Sequence, residues 1–227
     1  MKPLRKFLDW ALPPYARLCA LSIILMDVFA YYLPKALDAH RVLHPISTAL
    51  DDALPLVPCF VLIYVLAYAQ WVFGLAVILR DSRERCFRFT AAVLTAMLLA
   101  MLAMLIWPTV MAQPALEVRD PFTWLLAAIY RADEPTHVFP SMHCLASWFC
   151  FRCSFGLRQT PRWYPWAQGV FSLLVFASVV LVKQHVWPDI LGGVAAAELG
   201  IGLSRLLRLH RLTAKLDPAA RRRSYCA

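Results

Sequence analysis

Two short segments of the chain place a histidine near a proline, and one of them adds an aspartate. The first reads VFPSMHCLASW over residues 138–148, and the second reads KQHVWPDILGG over residues 183–193. Proline is favoured in the first turn of a helix, where its missing N–H removes no hydrogen bond. The two segments therefore predict two helix starts, with His143 in the first turn of one and His185 just before the other.

These residue types in this order are suited to phosphate chemistry. The free N–H groups and the dipole at a helix start attract anions, above all phosphate. The carboxylate of Asp189 can accept a hydrogen bond from one nitrogen of His185, which fixes the tautomer and leaves the other nitrogen as a nucleophile or general base. Lys183 adds a cation for a phosphoryl oxygen. We therefore predict a phosphoryl-transfer site in which one imidazole attacks phosphorus and the other protonates the leaving oxygen, with no metal or other cofactor.

The composition indicates that these helices lie in a membrane. Apolar residues make up 61% of the 227 residues, and the mean hydropathy of +0.59 is well above that of a soluble domain. The uncharged runs 53–79 and 89–116 each exceed the roughly 20 residues needed to span a bilayer. We predict an all-α integral membrane protein with one membrane domain, residues 1–227, and six transmembrane helices. The predicted spans cover residues 15–33, 53–79, 89–111, 140–157, 163–182 and 190–207, and a basic cytoplasmic tail covers residues 208–227.

The connections between the spans bring the two histidine motifs together. The predicted spans 140–157 and 163–182 form a hairpin, so the chain returns to the face where residue 140 enters the membrane. The segment PFTWLLAAIY, residues 121–130, is too short to span. With Trp124 and Tyr130 suited to the headgroup zone, it predicts a short interfacial helix in the outer loop before helix 4.

The positive charges predict the orientation of the chain. The formal net charge is +9. With the amino terminus inside, most lysines and arginines fall on the inner side, as the positive-inside rule requires. We expect both termini to be cytoplasmic and the site to face the periplasm or the extracellular side of a bacterial inner or plasma membrane. The basic tail is interpreted as an anchor for anionic lipid, so no nucleic-acid partner is expected. The cations left outside are Lys35, Arg41, Arg119, Arg131 and Lys183.

The two motifs resemble those of the type 2 phosphatidic acid phosphatase superfamily of membrane phosphatases and phosphotransferases. Residues 140–143, Pro-Ser-Met-His, match its middle motif Pro-Ser-Gly-His, while His185 and Asp189 match the His-x-x-x-Asp end of its third motif. The resemblance implies a six-helix fold with His185 as the phosphate-accepting nucleophile, Asp189 orienting it and His143 as the acid for the leaving group. It also implies hydrogen bonds from Ser141 to phosphate oxygens.

The chain departs from this family at the cations that would bind phosphate. Residues 178–179 are Ser-Val where the third motif opens with Ser-Arg, and the lysine and Arg-Pro of the first motif correspond to Ile106 and Gln113-Pro114. Lys183 is a candidate replacement for the missing cation. The residues of the two motifs are most similar to those of the branch related to inositol phosphorylceramide and sphingomyelin synthases. The chain also resembles an early segment of that branch, at Asp51 or Asp52 with Pro55, Pro58 and Tyr64. Further candidate phosphate-binding residues are Gln113, Arg119 and Arg131.

Polar and small residues inside the predicted spans have several readings. Asp27 and Glu198 can pair with polar partners, carry protons or lie near an inner end. Cys150 and Cys153 are interpreted as small buried apolar residues. Close helix packing is predicted at the small residues Gly192, Gly193, Ala196 and Ala197.

We expect a membrane lipid phosphatase, acting on phosphatidic acid or an isoprenoid diphosphate through a phosphohistidine, with the phosphorylated lipid and the bilayer as partners. Three alternatives remain open. A lipid phosphotransferase would pass a phosphoryl group or phospho-headgroup to a lipid hydroxyl, whereas a noncatalytic protein would bind or move a lipid phosphate. A histidine-rich metalloenzyme would draw on His40 and His44, which have i, i+4 spacing, and on His137 with the two motif histidines.

Overall fold

A computed structural model describes residues 9–37 and 41–218 of the chain, which are mostly helical. Two short strands are β1 (His44–Pro45) and β2 (Thr109–Val110). The helices are α1 (Pro14–Leu37), α2 (Ala49–Ala53), α3 (Val61–Asp81), α4 (Arg83–Ile106), α5 (Pro121–Ala132), α6 (Met142–Arg152), α7 (Tyr164–Leu181), α8 (Trp187–Leu206) and α9 (His210–Thr213).

Several of these helices can cross a membrane. Within residues 9–37 and 41–218, four are long and apolar enough: α1, α3 with the short 3₁₀ turn before it, α4 and α7. Helix α8 passes the same test only together with the segment His210–Leu216, from which it is bent by 79°. The described chain thus has four or five membrane-crossing candidates, which supports the predicted membrane class, while six spans stay a prediction.

The observed helix bounds differ from the predicted spans at charged residues and at loops. Helix α4 begins at Arg83, six residues before the predicted start, because Ser82 caps it by accepting a hydrogen bond from the N–H of Arg85 at 3.3 Å. The predicted span 53–79 is interrupted, since α3 begins only at Val61. Helix α6 has 11 residues, fewer than the predicted span 140–157.

The segment predicted as a basic tail is partly folded. After α9 comes a 3₁₀ turn over Ala214–Leu216. The hydroxyl of Thr213 donates to the carbonyl of Phe87 at 2.7 Å, and Arg83 forms an ion pair with Asp217. These contacts fix the segment after α8 against the start of α4. The rest of the predicted tail, residues 219–227, lies outside the described residues.

Helix α8 packs against α4 and α6, and glycines permit the close approach. A Cβ at Gly193 would lie 2.6 Å from the carbonyl oxygen of Ser141, and one at Gly200 would lie 2.6 Å from Cβ of Ala96. At Gly192 an added Cβ would meet the ring of Phe139. Such separations leave no room for a side chain, so the prediction of close packing along α8 is confirmed.

Apolar side chains also cover the outward faces of the bundle. Ile24, Phe29, Val72, Phe73 and Leu173 are each at least half exposed. In water such a surface would be costly, whereas acyl chains solvate it, which agrees with a membrane environment.

The loops at one end of the bundle are joined to each other. Strands β1 and β2 pair in parallel, with His44 opposite Thr109, and Val110 forms an antiparallel bridge with Thr136. The loops after α1, after α4 and before α6 therefore meet at the end where α6 and α8 begin. Helix α5 begins at Pro121, as predicted, and the structure adds Asp120 as its cap. Its interfacial position stays a prediction.

Candidate active site

The starts of α6 and α8 lie side by side. The N–H of Ser141 donates to the carbonyl of Asp189 at 3.1 Å. The side chain of Ser141 is fully buried and accepts a hydrogen bond from the N–H of Cys144 at 3.3 Å, so it caps α6. Both predicted helix starts are confirmed, and one backbone hydrogen bond joins them.

His185 and Asp189 form the predicted pair. The Nδ1 atom of His185 lies 3.0 Å from Oδ2 of Asp189, whose carboxylate is fully buried. The same oxygen accepts a hydrogen bond from the N–H of Val186 at 3.1 Å. This arrangement holds the imidazole with Nδ1 toward the carboxylate, and Nε2 is left for chemistry.

His143 is enclosed by aromatic rings of α3. Its ring stacks on Tyr64 with centroids 4.2 Å apart, and Trp71 and Tyr68 meet it edge-on at 4.8 and 5.3 Å. The indole of Trp71 is itself fixed by donating to the hydroxyl of Ser147 at 3.0 Å. The imidazole therefore has a defined orientation even though its Nε2 atom is buried without a hydrogen-bond partner in the described part of the chain.

The two imidazoles lie on one cavity. Their ring centroids are 6.1 Å apart, and both line a cavity of about 360 Å³. The two motif histidines therefore lie together, while their joint role in phosphoryl transfer stays a prediction.

The remaining cavity wall is acidic and aromatic. Asp27, Asp133 and Glu134 line it, as do Tyr31 and Tyr32. No lysine or arginine is found among the lining residues that the structure describes. Lys35 stands behind this wall, where its ammonium donates to Asp133 at 2.9 Å and to the hydroxyl of Tyr31 at 2.8 Å. The hydroxyl of Tyr31 also donates to Asp133.

Gln184 is a donor that sequence reasoning missed. It is buried, lines the cavity and has a side-chain Nε2 atom without a hydrogen-bond partner in the described residues. An amide N–H left unpaired in a protein interior is costly, which makes a bound oxygen the expected partner. The sequence offers one indication of this role, because Gln184 lies between two candidate site residues, Lys183 and His185.

Lys183 is directed away from the cavity. Its ammonium donates to the carbonyl oxygens of Asp51 and Leu54, at 2.5 and 2.8 Å. The carboxylate of Asp51 accepts from the N–H of Trp187 at 2.8 Å, so the loop around α2 supports both ends of the His185 segment. The carbonyl just before Lys183 accepts from Tyr130, where burial raises the pKa of the phenol to about 12 and keeps it a donor.

The other candidate phosphate-binding residues are not brought to the histidines. Gln113 donates weakly to the carbonyl of Lys183 at 3.4 Å, Arg119 forms an exposed ion pair with Glu117, and Arg131 is exposed. Val179, which stands where the family motif has arginine, is fully buried, and its carbonyl accepts from the N–H groups of Gln184 and His185 at 3.0 Å each.

The histidines invoked for a metalloenzyme do not form a cluster in the described structure. His40 lies outside the described residues, and His44 is exposed in β1. Within residues 9–37 and 41–218, no group of three or more histidine, cysteine or acidic side chains is close enough to hold a metal ion.

The aromatic enclosure of His143 could have been found from spacing. Tyr64, Tyr68 and Trp71 stand at i, i+4 and i+7 of α3, which places all three on one helix face. Of the three, only Tyr64 belongs to the segment that resembles the synthase branch. The cluster of Lys35, Tyr31 and Asp133 depends on contacts between distant parts of the chain and had no comparable local signal.

No family model, curated protein or solved structure matches this chain. The chemical interpretation of the site therefore rests on its own residues and geometry.

Proposed function

We propose that the protein transfers a phosphoryl group or a phospho-headgroup from a membrane lipid through a covalent intermediate on His185. The observation that carries the proposal is the Asp189-oriented His185 facing the same cavity as His143. An imidazole oriented by a buried carboxylate is activated as a nucleophile, and a second imidazole on the same cavity can serve as the acid. The proposal corresponds to the chemistry of the type 2 phosphatidic acid phosphatase superfamily.

The reaction proceeds in two displacements. Nε2 of His185 attacks phosphorus, the bond from phosphorus to the leaving oxygen breaks, and His143 gives that oxygen a proton. Water then attacks phosphorus while His143 accepts the proton from the water, and the phosphorus–nitrogen bond breaks to release the product. Asp189 holds the imidazole in one tautomer and stabilises the positive charge that develops on His185.

A second candidate differs in the lipid substrate, in the group transferred and in the acceptor. The acidic and aromatic wall suits an ammonium group, which is attracted to carboxylates and to ring faces, better than it suits a doubly charged phosphate monoester. A phosphodiester lipid with an ammonium headgroup would place its phosphate between the histidines and its cation near Asp27 and Glu134. The phospho-headgroup would then pass to a lipid hydroxyl instead of water.

The remaining parts of the proposal concern the membrane. We propose six membrane-crossing segments, with α6 as a short one, and α5 at the interface. The basic end of the bundle would face the cytoplasm with both termini, and the histidines would face the opposite side, as positive charge at the inner ends of the helices favours.

The test is turnover of a lipid panel by detergent-purified protein. The panel contains phosphatidic acid, an isoprenoid diphosphate, phosphatidylethanolamine and phosphatidylcholine, each with and without a diacylglycerol or ceramide acceptor. Phosphate release abolished by His185→Ala supports the phosphatase, and a new lipid formed only with acceptor supports the transferase. Lipid binding without turnover, unchanged in the folded His185→Ala variant, would favour a noncatalytic lipid-phosphate protein.

A further inference from the structure

A second cavity lies at the other end of the same helices. It measures about 800 Å³ and is enclosed by the start of α4, the end of α6 and the turn between α8 and α9. Asp189 and Arg205 mark the two ends of α8, roughly 24 Å apart at about 1.5 Å per residue. We call this the arginine cavity, because Arg85, Arg88, Arg152, Arg158, Arg205, Arg208 and Arg211 line it.

Part of this positive charge is balanced within the protein. Arg85 pairs with Asp81 at 3.2 Å and Arg88 with Glu84 at 2.7 Å. Arg152 pairs with Glu198 at 3.0 Å, and that carboxylate also accepts from an indole. The acidic residues at the cavity are therefore already engaged.

The remaining arginines of the cavity have no such balance. Arg158, Arg205, Arg208 and Arg211 are exposed and form no ion pair with any described residue. Like charges converging on one concave surface repel one another, and a cavity with low-dielectric walls concentrates their field. An anion bound there would relieve that repulsion.

The turn after α8 positions these guanidinium groups. The N–H of Leu209 donates to the carbonyl of Ser204 at 2.9 Å, and Arg208 adopts a left-handed backbone conformation with φ of 53°. Glycine is the usual residue at this position of a helix end, because a side chain is strained there. The turn sends the chain back over α4, so that Arg211 returns to the cavity lined by Arg205.

The cavity also has an apolar wall. Phe89, Ala92, Phe155 and Ile201 line it beside the arginines. A ligand with a charged head and an apolar body matches this combination better than a bare ion. Guanidinium groups bind phosphate oxygens through paired N–H donors, and basic pockets between transmembrane helices are suited to anionic lipid headgroups.

We propose that the arginine cavity is a binding site for a phosphate-bearing anion, separate from the histidine site and independent of turnover there. The phosphate lies among Arg158, Arg205 and Arg211, and the rest of the ligand lies along the apolar wall. The same phosphate chemistry could be offered by an anionic lipid or by a soluble phosphate compound.

The test is calorimetric titration of the detergent-purified full chain with three probes: dioctanoyl phosphatidylglycerol, dioctanoyl phosphatidylcholine and inorganic pyrophosphate. Arg205→Gln and Arg211→Gln each remove one cavity charge. Arg162→Gln is the matched control, because Arg162 is exposed in the nearby loop between α6 and α7 and does not line the cavity. Size-exclusion profiles confirm that each variant is folded.

We expect an anionic probe to bind the wild type. Its affinity should be about tenfold weaker in each cavity variant, which is the loss expected for one charge-assisted hydrogen bond. In the Arg162→Gln control the Kd should be nearly unchanged. Loss of phosphatidylglycerol binding identifies a lipid ligand, and loss of pyrophosphate binding alone identifies a soluble one. Equal affinity in both cavity variants and the control, or no anionic binding by the wild type, would overturn the proposal. Binding at the histidine site would survive these substitutions and is thereby distinguished.

Discussion

Nδ1 of His185 lies 3.0 Å from the buried carboxylate of Asp189, one turn along the chain at the start of α8. Because the carboxylate also accepts a backbone N–H, it cannot turn away without breaking two hydrogen bonds. The pair is therefore a fixed unit whose remaining imidazole nitrogen is available to a ligand.

Asp189→Asn should lower kcat by at least about 100-fold, because the neutral amide no longer stabilises the positive charge that develops on His185. The substitution keeps the side-chain volume and leaves an oxygen for the N–H of Val186, so folding should be preserved. Asp52→Asn, at an exposed neighbouring carboxylate, should leave turnover unchanged. Equal turnover of both variants would contradict a role for the pair.

His143→Gln should slow turnover according to the leaving group. For a lipid phosphate, whose leaving alcohol needs a proton, we expect a loss of about 10²- to 10⁴-fold. For p-nitrophenyl phosphate the loss should be much smaller, because the phenolate departs unprotonated. His44→Gln, at an exposed histidine in β1, provides the control. Equal losses of kcat/KM for both substrates, a ratio that reports only the first displacement, would show that His143 is not the acid.

Gly193→Ala should damage the site through packing. The added methyl would lie 2.6 Å from the carbonyl oxygen of Ser141, so α8 must move away from α6 and carry Asp189 with it. We expect a loss of about 1–3 kcal/mol in the free energy of unfolding, together with reduced kcat. A Cβ at Gly202 meets nothing within 4 Å, so Gly202→Ala should be neutral or up to about 1 kcal/mol more stable. Thermal aggregation in detergent and turnover measure both effects, and identical behaviour of the two variants would be inconsistent with the close packing.

Lys183 and Gln184 should respond differently although they are adjacent. Lys183→Met removes donors to the carbonyls of Asp51 and Leu54, which should cost about 1–3 kcal/mol of stability with little change in KM. Gln184→Ala removes an unpaired donor at the cavity, which should raise KM or lower kcat by about tenfold without loss of stability. Substrate titrations and thermal aggregation separate the two effects. A large rise in KM for Lys183→Met would restore its predicted role as a phosphate ligand.

The helix starts and the His185–Asp189 pair were predictable because they are local. Proline positions and i, i+4 spacing act within one or two turns, and hydropathy identifies long apolar helices. The residues at which the helices begin and end were less predictable. Absence of charge was a poor guide to where α4 begins, since its first two turns carry charged residues that are solvated or paired beyond the apolar segment.

The cavity wall was not predictable because it is assembled from distant segments. Lys35 and Asp133 meet across the bundle, and nothing in either local sequence indicates the contact. Lys183 was expected to face the phosphate, yet the loop around α2 offers it two carbonyl oxygens. In such cases the competition among possible partners is decided by tertiary structure.

The most direct test of the central claim is detection of the covalent intermediate. Purified protein is mixed with a lipid substrate that it turns over, quenched within milliseconds in alkaline denaturant to preserve phosphohistidine, digested and examined by mass spectrometry. We expect a phosphate or phospho-headgroup on the peptide that contains His185, and none in His185→Ala. Turnover at the wild-type rate by the folded His185→Ala variant would contradict the account.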